Sequence, residues 1–151
     1  MTASARLAEI GIELPVVVQP LGSYVPAVQS GNLVYTSGQL PMRDGALVQT
    51  GKVGVDVSAE QGNELARICA LNALAAIDAL VGVDSVTRVV KVGGFVASGA
   101  GFSGQPGVVN GASDLLAEVF GEAGVHARSA VGVAELPMGA PVEVELVVEV
   151  G

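Results

Sequence analysis

Two segments near the end of the chain alternate in hydrophobicity with a period of two. Val142, Val144, Leu146 and Val148 fall on one side of the second segment, with Glu143, Glu145 and Glu149 on the other. Such alternation marks a half-buried strand. In the first segment, roughly 126–134, one face carries Val125, Ala127, Ser129, Val131 and Val133, and the opposite face His126, Arg128, Ala130, Gly132 and Ala134. The valine side is expected to pack beneath helices. The other face has charge at one end and very small residues beyond, so it is expected to be buried against a second copy, with Arg128 near the seam. The connection between the two strands is short and holds Leu136-Pro137, which predicts an antiparallel pair.

Upstream the period changes to that of a helix. Leu65, Ile68, Cys69, Asn72, Ala76 and Leu80 follow helical spacing, Ser58 and Gln61 have capping-box spacing, and Gly82 supplies a stop. Val86–Val96 reads as a buried strand with Gly93-Gly94 inside it, and 97–107 as a Gly/Ser-rich loop. Asn110 or Ser113 is expected to cap a second helix that runs to Phe120. Near the start, residues 3–10 predict a short helix, Val16–Val18 a short strand ending at Pro20, Leu21–Pro26 a loop, and Leu33–Gln39 a strand. Asp44-Gly45 favours a hairpin turn. After the N-terminal piece the order is β-β-α-β-α-β-β. The class is α+β: one mixed sheet with two helices packed on one face, in a single domain spanning 1–151.

Composition narrows the partners. Aromatic residues make up 3% of the chain and Trp is absent, which removes the stacking platforms used for unpaired bases. Seven basic residues face 15 acidic ones, for a net charge of −8. The basic residues are scattered, so no nucleic-acid partner is expected. A single cysteine, Cys69, excludes a disulfide framework and argues against a thiol metal site. It suits a reducing, cytoplasmic setting. Residues 1–15 carry charges where a signal peptide needs an apolar core. No apolar run approaches the ~20 residues that span a bilayer, so no membrane partner is expected.

Few residues can carry chemistry. Arg128 stands among small neighbours, which leaves room for a ligand carboxylate to meet its planar guanidinium. The alternative for Arg128 is an ion pair with a glutamate on the next strand. Glu143 or Glu145 can position a water or move a proton, or can simply face solvent. His126, the only histidine, is an acid–base candidate or a partly exposed strand residue, and no spacing suggests a metal site. Tyr24 can reach a ligand from its loop, and Ser37-Gly38-Gln39 offers a hydroxyl and backbone N–H groups. Cys69 lies on an apolar helix stripe and reads as core. Neither a phosphate loop nor a nucleophile elbow is present.

Taken in order, several pieces resemble the RidA/YjgF family, also called the L-PSP endoribonuclease family. They are Gly22-Ser23-Tyr24, Gly31–Gln39, Asn110, Ala127-Arg128-Ser129, Val133, Leu136-Pro137 and Val142–Glu145. The His126–Gly132 version, with an N-terminal extension over 1–14, is similar to a longer subgroup whose role is poorly defined. The resemblance implies a chorismate-mutase-like fold and a homotrimer with ligand clefts between subunits. It implies that Arg128 binds a substrate carboxylate and Glu143 orients or activates a water. Tyr24, Ser37, Gly38 and Asn110 would line the cleft, and backbone groups near Ala130 would hold the nitrogen end. The family often has cysteine where this chain has Ala130, and Gly-Pro-Tyr where it has Gly22-Ser23-Tyr24.

The activity so implied is that of 2-iminobutanoate/2-iminopropanoate deaminases. They hydrolyse enamines and imines derived from amino acids to 2-keto acids and ammonia, without a cofactor. A binding module for small carboxylate metabolites is the alternative. Ribonuclease activity is disfavoured by the acidic charge and the single histidine.

Overall fold

The capping box at Ser58 sets the longest element. Ser58 Oγ accepts from the Gln61 backbone N–H (3.1 Å), and Gln61 Oε1 accepts from the Ser58 N–H (2.9 Å). Helix α2 therefore starts at Ala59 and runs to Val81, where Gly82 ends it with φ 83°. This computed structural model describes residues 1–151. The other elements are helices α1 (Ala3–Glu9) and α3 (Gln105–Phe120) and strands β1 (Ala27–Ser30), β2 (Leu33–Thr36), β3 (Met42–Arg43), β4 (Ala46–Leu47), β5 (Val86–Ala97), β6 (Ala127–Val133) and β7 (Val142–Val150).

Five strands form one sheet in the order β1-β2-β7-β5-β6, mixed because β6 runs parallel to β5 while the other pairs are antiparallel. Helices α2 and α3 cover one face. The alternation along β7 works as expected: Val142, Val144, Leu146 and Val148 are at most 1% exposed beneath the helices, and Glu143, Glu145 and Glu149 take the opposite face. The two helices press closely together at Gly111, where a Cβ would overlap the Asn63 carbonyl. The Asp44-Gly45 turn closes the β3–β4 hairpin with φ of 54° and 80°, the left-handed pair a two-residue turn demands. Cys69 is fully buried against β7, its Sγ 3.6 Å from the Val142 carbonyl. No helix is long and apolar enough to cross a membrane.

Four expectations are corrected. First, β6 and β7 do not pair, because β5 lies between them. The crossover through α3 places β6 parallel beside β5 at the sheet edge, and β7, with its strongly apolar face, takes a central place. Second, the two faces of β6 are exchanged. Arg128 and Ala130 register with Val92 and Gly94, which face the helices, while Val131 and Ser129 register with Phe95 and Gly93 on the uncovered side. The small residues make room for α3: a Cβ on Gly132 would come within 2.8 Å of Gln105 Nε2. Third, α3 starts at Gln105-Pro106, where proline suits the first turn, so Asn110 and Ser113 lie inside the helix and cap nothing. Fourth, 16–18 forms no strand; the first strand is β1, and Val18 packs against a small cluster of Leu40, Met42 and Ala140.

Candidate active site

The predicted site residues fall into two groups on opposite faces of the sheet. The first lines a cleft of about 310 Å³ on the helix-free side, walled by Val18, Leu21, Tyr24, Gly38, Gln39 and Glu143. Each wall has a local cause. Tyr24 OH accepts the Leu21 N–H (3.1 Å), which folds the 21–26 loop back on itself. Ser37 donates to the Val25 carbonyl (2.6 Å), and its N–H to the Pro26 carbonyl (2.8 Å), so Ser37 ties that loop to the end of β2. Gln39 exchanges two backbone bonds with Val144, 2.8 and 3.0 Å, which sets Gly38 beside Glu143. A Cβ on Gly38 would overlap Glu143 Oε1, so only glycine leaves that carboxylate its place. Beneath, the buried Asn72 amide of α2 donates to the carbonyls of Leu40 (3.1 Å) and Met42 (3.0 Å) and pins the cleft floor.

Glu143 is half-buried at this cleft and makes no hydrogen bond or ion pair within the chain. Burial, followed by the nearby Glu145 charge, raises its pKa above the ordinary carboxylate value. A carboxylate so placed is a stronger base than a solvated one, with free lone pairs for a water.

The second group lies between β6 and α3. Arg128 Nη1 donates to Ser113 Oγ (3.1 Å) and Nη2 to the Pro106 carbonyl (3.1 Å). Ser113 Oγ also lies 2.8 Å from His126 Nε2, and His126 Nδ1 bonds the Gly124 carbonyl. Asn110 is exposed on α3 one turn from both Pro106 and Ser113, hence on the stripe that faces Arg128. Ala130 packs against the core edge. The ion pair held open for Arg128 does not form. Of the four half-buried cations, Arg6 pairs with Glu9, Lys52 with Glu135 and Arg67 with Glu118, whereas Arg128 meets no carboxylate of its own chain. Two of its five N–H groups are used and three are free.

The fold thus brings Tyr24, Ser37, Gly38 and Glu143 together, and separately Asn110, His126, Arg128 and Ala130, but it does not join the groups within one chain. Sequence reasoning missed Ser113 as a partner of Arg128, and Val18 and Leu21 as cleft walls. The signal for Ser113 was its four-plus-three spacing from Pro106 and Asn110, hidden by the expectation of a cap. No three His, Cys, Asp or Glu side chains converge to form a metal site.

A mixed five-stranded sheet with two helices on one face is shared with known proteins. The family described as "YjgF/chorismate mutase-like, putative endoribonuclease" matches residues 4–150. The chain is 46% identical over 148 residues to protein TCP17 of Trypanosoma cruzi, covering 97% of this chain and 92% of that one. It is 36% identical over 139 residues to a 2-iminobutanoate/2-iminopropanoate deaminase of Dermatophagoides farinae, covering 91% and 93%. A crystal structure of an Agrobacterium tumefaciens protein of unknown function superimposes with a TM-score of 0.91 at 47% identity, covering 99% of this chain and 92% of that one. The chain belongs to the YjgF/RidA family and has its chorismate-mutase-like fold.

Proposed function

We propose that this protein hydrolyses imines and enamines derived from amino acids, releasing ammonia and a 2-keto acid, in clefts formed between copies of the chain. The observation that carries this reading is the pair of unmatched groups. Arg128 is a half-buried cation without a carboxylate, and Glu143 is a half-buried carboxylate without a cation. They lie on opposite faces of one sheet, so a site that uses both needs Arg128 from one copy and Glu143 from another. The uncovered sheet face supports such an assembly. It exposes Val28, Tyr35 and Val131 at 51%, 43% and 44%, beside Phe95 and Val147. These exposed apolar side chains, set among Lys91, Glu143, Glu145 and Glu149 on the same face, suit a partner surface, and the trimer that the family resemblance implies would bury them.

In the proposed reaction, the guanidinium takes the substrate carboxylate through two parallel hydrogen bonds. An enamine first tautomerises to the imine. Glu143 accepts a proton from water as the water oxygen bonds to the imine carbon, and the C=N electron pair moves to nitrogen. Glu143 returns that proton to the nitrogen, giving the neutral carbinolamine. The carbinolamine then collapses: its hydroxyl proton passes by way of Glu143 to the nitrogen, the oxygen electron pair forms the C=O of the keto acid, the C–N bond breaks, and ammonia leaves with Glu143 again ionised. The rate gain comes from positioning and charge complementarity. Purified protein should accelerate ammonia release from freshly generated 2-aminoacrylate, and Arg128→Ala should abolish the effect. Wild-type protein no faster than buffer across several imines would remove this reading and leave the carboxylate-binding module in its place.

A further inference from the structure

We propose that Ser113 and His126 are positioning residues for Arg128, holding its guanidinium in the plane that receives the substrate carboxylate. This rests on the reading of Arg128 given above. With a neutral imidazole, the direction of every bond in the chain of contacts follows from its two ends. The Gly124 carbonyl can only accept, so His126 Nδ1 carries the one ring proton and Nε2 presents a lone pair. Ser113 therefore donates its hydroxyl hydrogen to Nε2 at 2.8 Å. That leaves the serine oxygen lone pairs free, and Arg128 Nη1, which can only donate, takes one at 3.1 Å. The second terminal nitrogen is tied to the Pro106 carbonyl at 3.1 Å. Anchors on Nη1 and Nη2 together fix rotation of the guanidinium.

Both hydrogen bonds of the Ser113 hydroxyl leave the helix, one to each β6-side partner, so neither is spent on an α3 carbonyl. Both ring nitrogens of His126 are committed to the protein, so it acts on a ligand only through Ser113. An unanchored arginine loses the freedom of its long side chain when it binds; here part of that ordering is already in place.

Steady-state imine hydrolysis by the intact protein tests the proposal, with calorimetric binding of pyruvate as a readout independent of turnover. Carboxylate binding is shared by ground and transition states, so Ser113→Ala should raise KM and weaken pyruvate binding about 10-fold with kcat nearly unchanged. Ser113→Thr, which keeps the hydroxyl, should restore most of the loss. His126→Ala should raise KM similarly, and should add nothing in the Ser113→Ala background. Unchanged KM and pyruvate affinity in folded Ser113→Ala and His126→Ala, alongside an inactive Arg128→Ala, would overturn the positioning role and leave the function reading intact. Additive effects of the two substitutions would also overturn it, by showing that His126 does not act through Ser113. An active Arg128→Ala with unchanged KM would instead remove the reading beneath both.

Discussion

Replacing Arg128 by lysine separates charge from geometry. A guanidinium has five N–H groups. Ser113 and Pro106 take two, which leaves one on Nε and one on each terminal nitrogen. Those three can still present two parallel donors to a carboxylate. A lysine ammonium has three N–H groups on one atom; holding the same two protein contacts, it keeps one for the ligand. The variant therefore retains the cation and loses one charge-assisted hydrogen bond, about 1.5–3 kcal/mol. That is about a 10- to 150-fold fall in kcat/KM. Arg128→Ala loses both bonds and should fall by about 10²–10⁴-fold. The partners left behind reach solvent at this edge, so neither variant should lose much stability. Initial rates of ammonia release from an imine generated in place, with thermal melts of each variant, make the comparison. Wild-type kcat/KM in Arg128→Lys would refute bidentate recognition, and a fully active Arg128→Ala would refute carboxylate recognition by this residue altogether.

Glu143→Gln should abolish hydrolysis, spare pyruvate binding and raise the melting temperature at neutral pH. The folded-state pKa of Glu143 is raised, so the stability linked to its protonated form is full below the ordinary carboxylate pKa and is lost as pH rises through the shifted one. Glutamine stays uncharged, so its advantage in melts at stepped pH should shrink toward pH ~4, and an advantage that grew with acidity would contradict the assignment. Gly38→Ala should displace the Glu143 carboxylate and cost on the order of 10²-fold in kcat while the fold persists by circular dichroism. Asn72→Leu strips the Leu40 and Met42 carbonyls of a buried donor and should cost about 2–4 kcal/mol in urea unfolding, with a matching loss of activity from the cleft floor.

What could be read from the chain was what depends on near neighbours. The alternation of β7, the capping box at Ser58 and the Asp44-Gly45 turn are local devices, and each appears where the residues place it. Strand partners were less legible. A short link suggested that β6 and β7 pair, but the crossover through α3 claims the place beside β5, and that is a property of the whole chain. The faces of β6 were exchanged for a related reason. Small residues such as Ala130 and Gly132 looked like a surface for another copy, whereas they yield space to α3. Arg128 and Glu143 were both recognised as candidates, but period two alone cannot show which side of a sheet each strand turns to the helices. Their separation onto opposite faces needed the register of β5 with both neighbours.

Mixing two inactive chains tests the shared site most directly. Arg128→Ala supplies only an intact Glu143, and Glu143→Gln only an intact Arg128. If each cleft takes one group from each of two copies, co-refolding the variants at equal amounts rebuilds about a quarter of the clefts, and about a quarter of wild-type activity should return. A mixture no more active than its separate components would contradict a site assembled between copies.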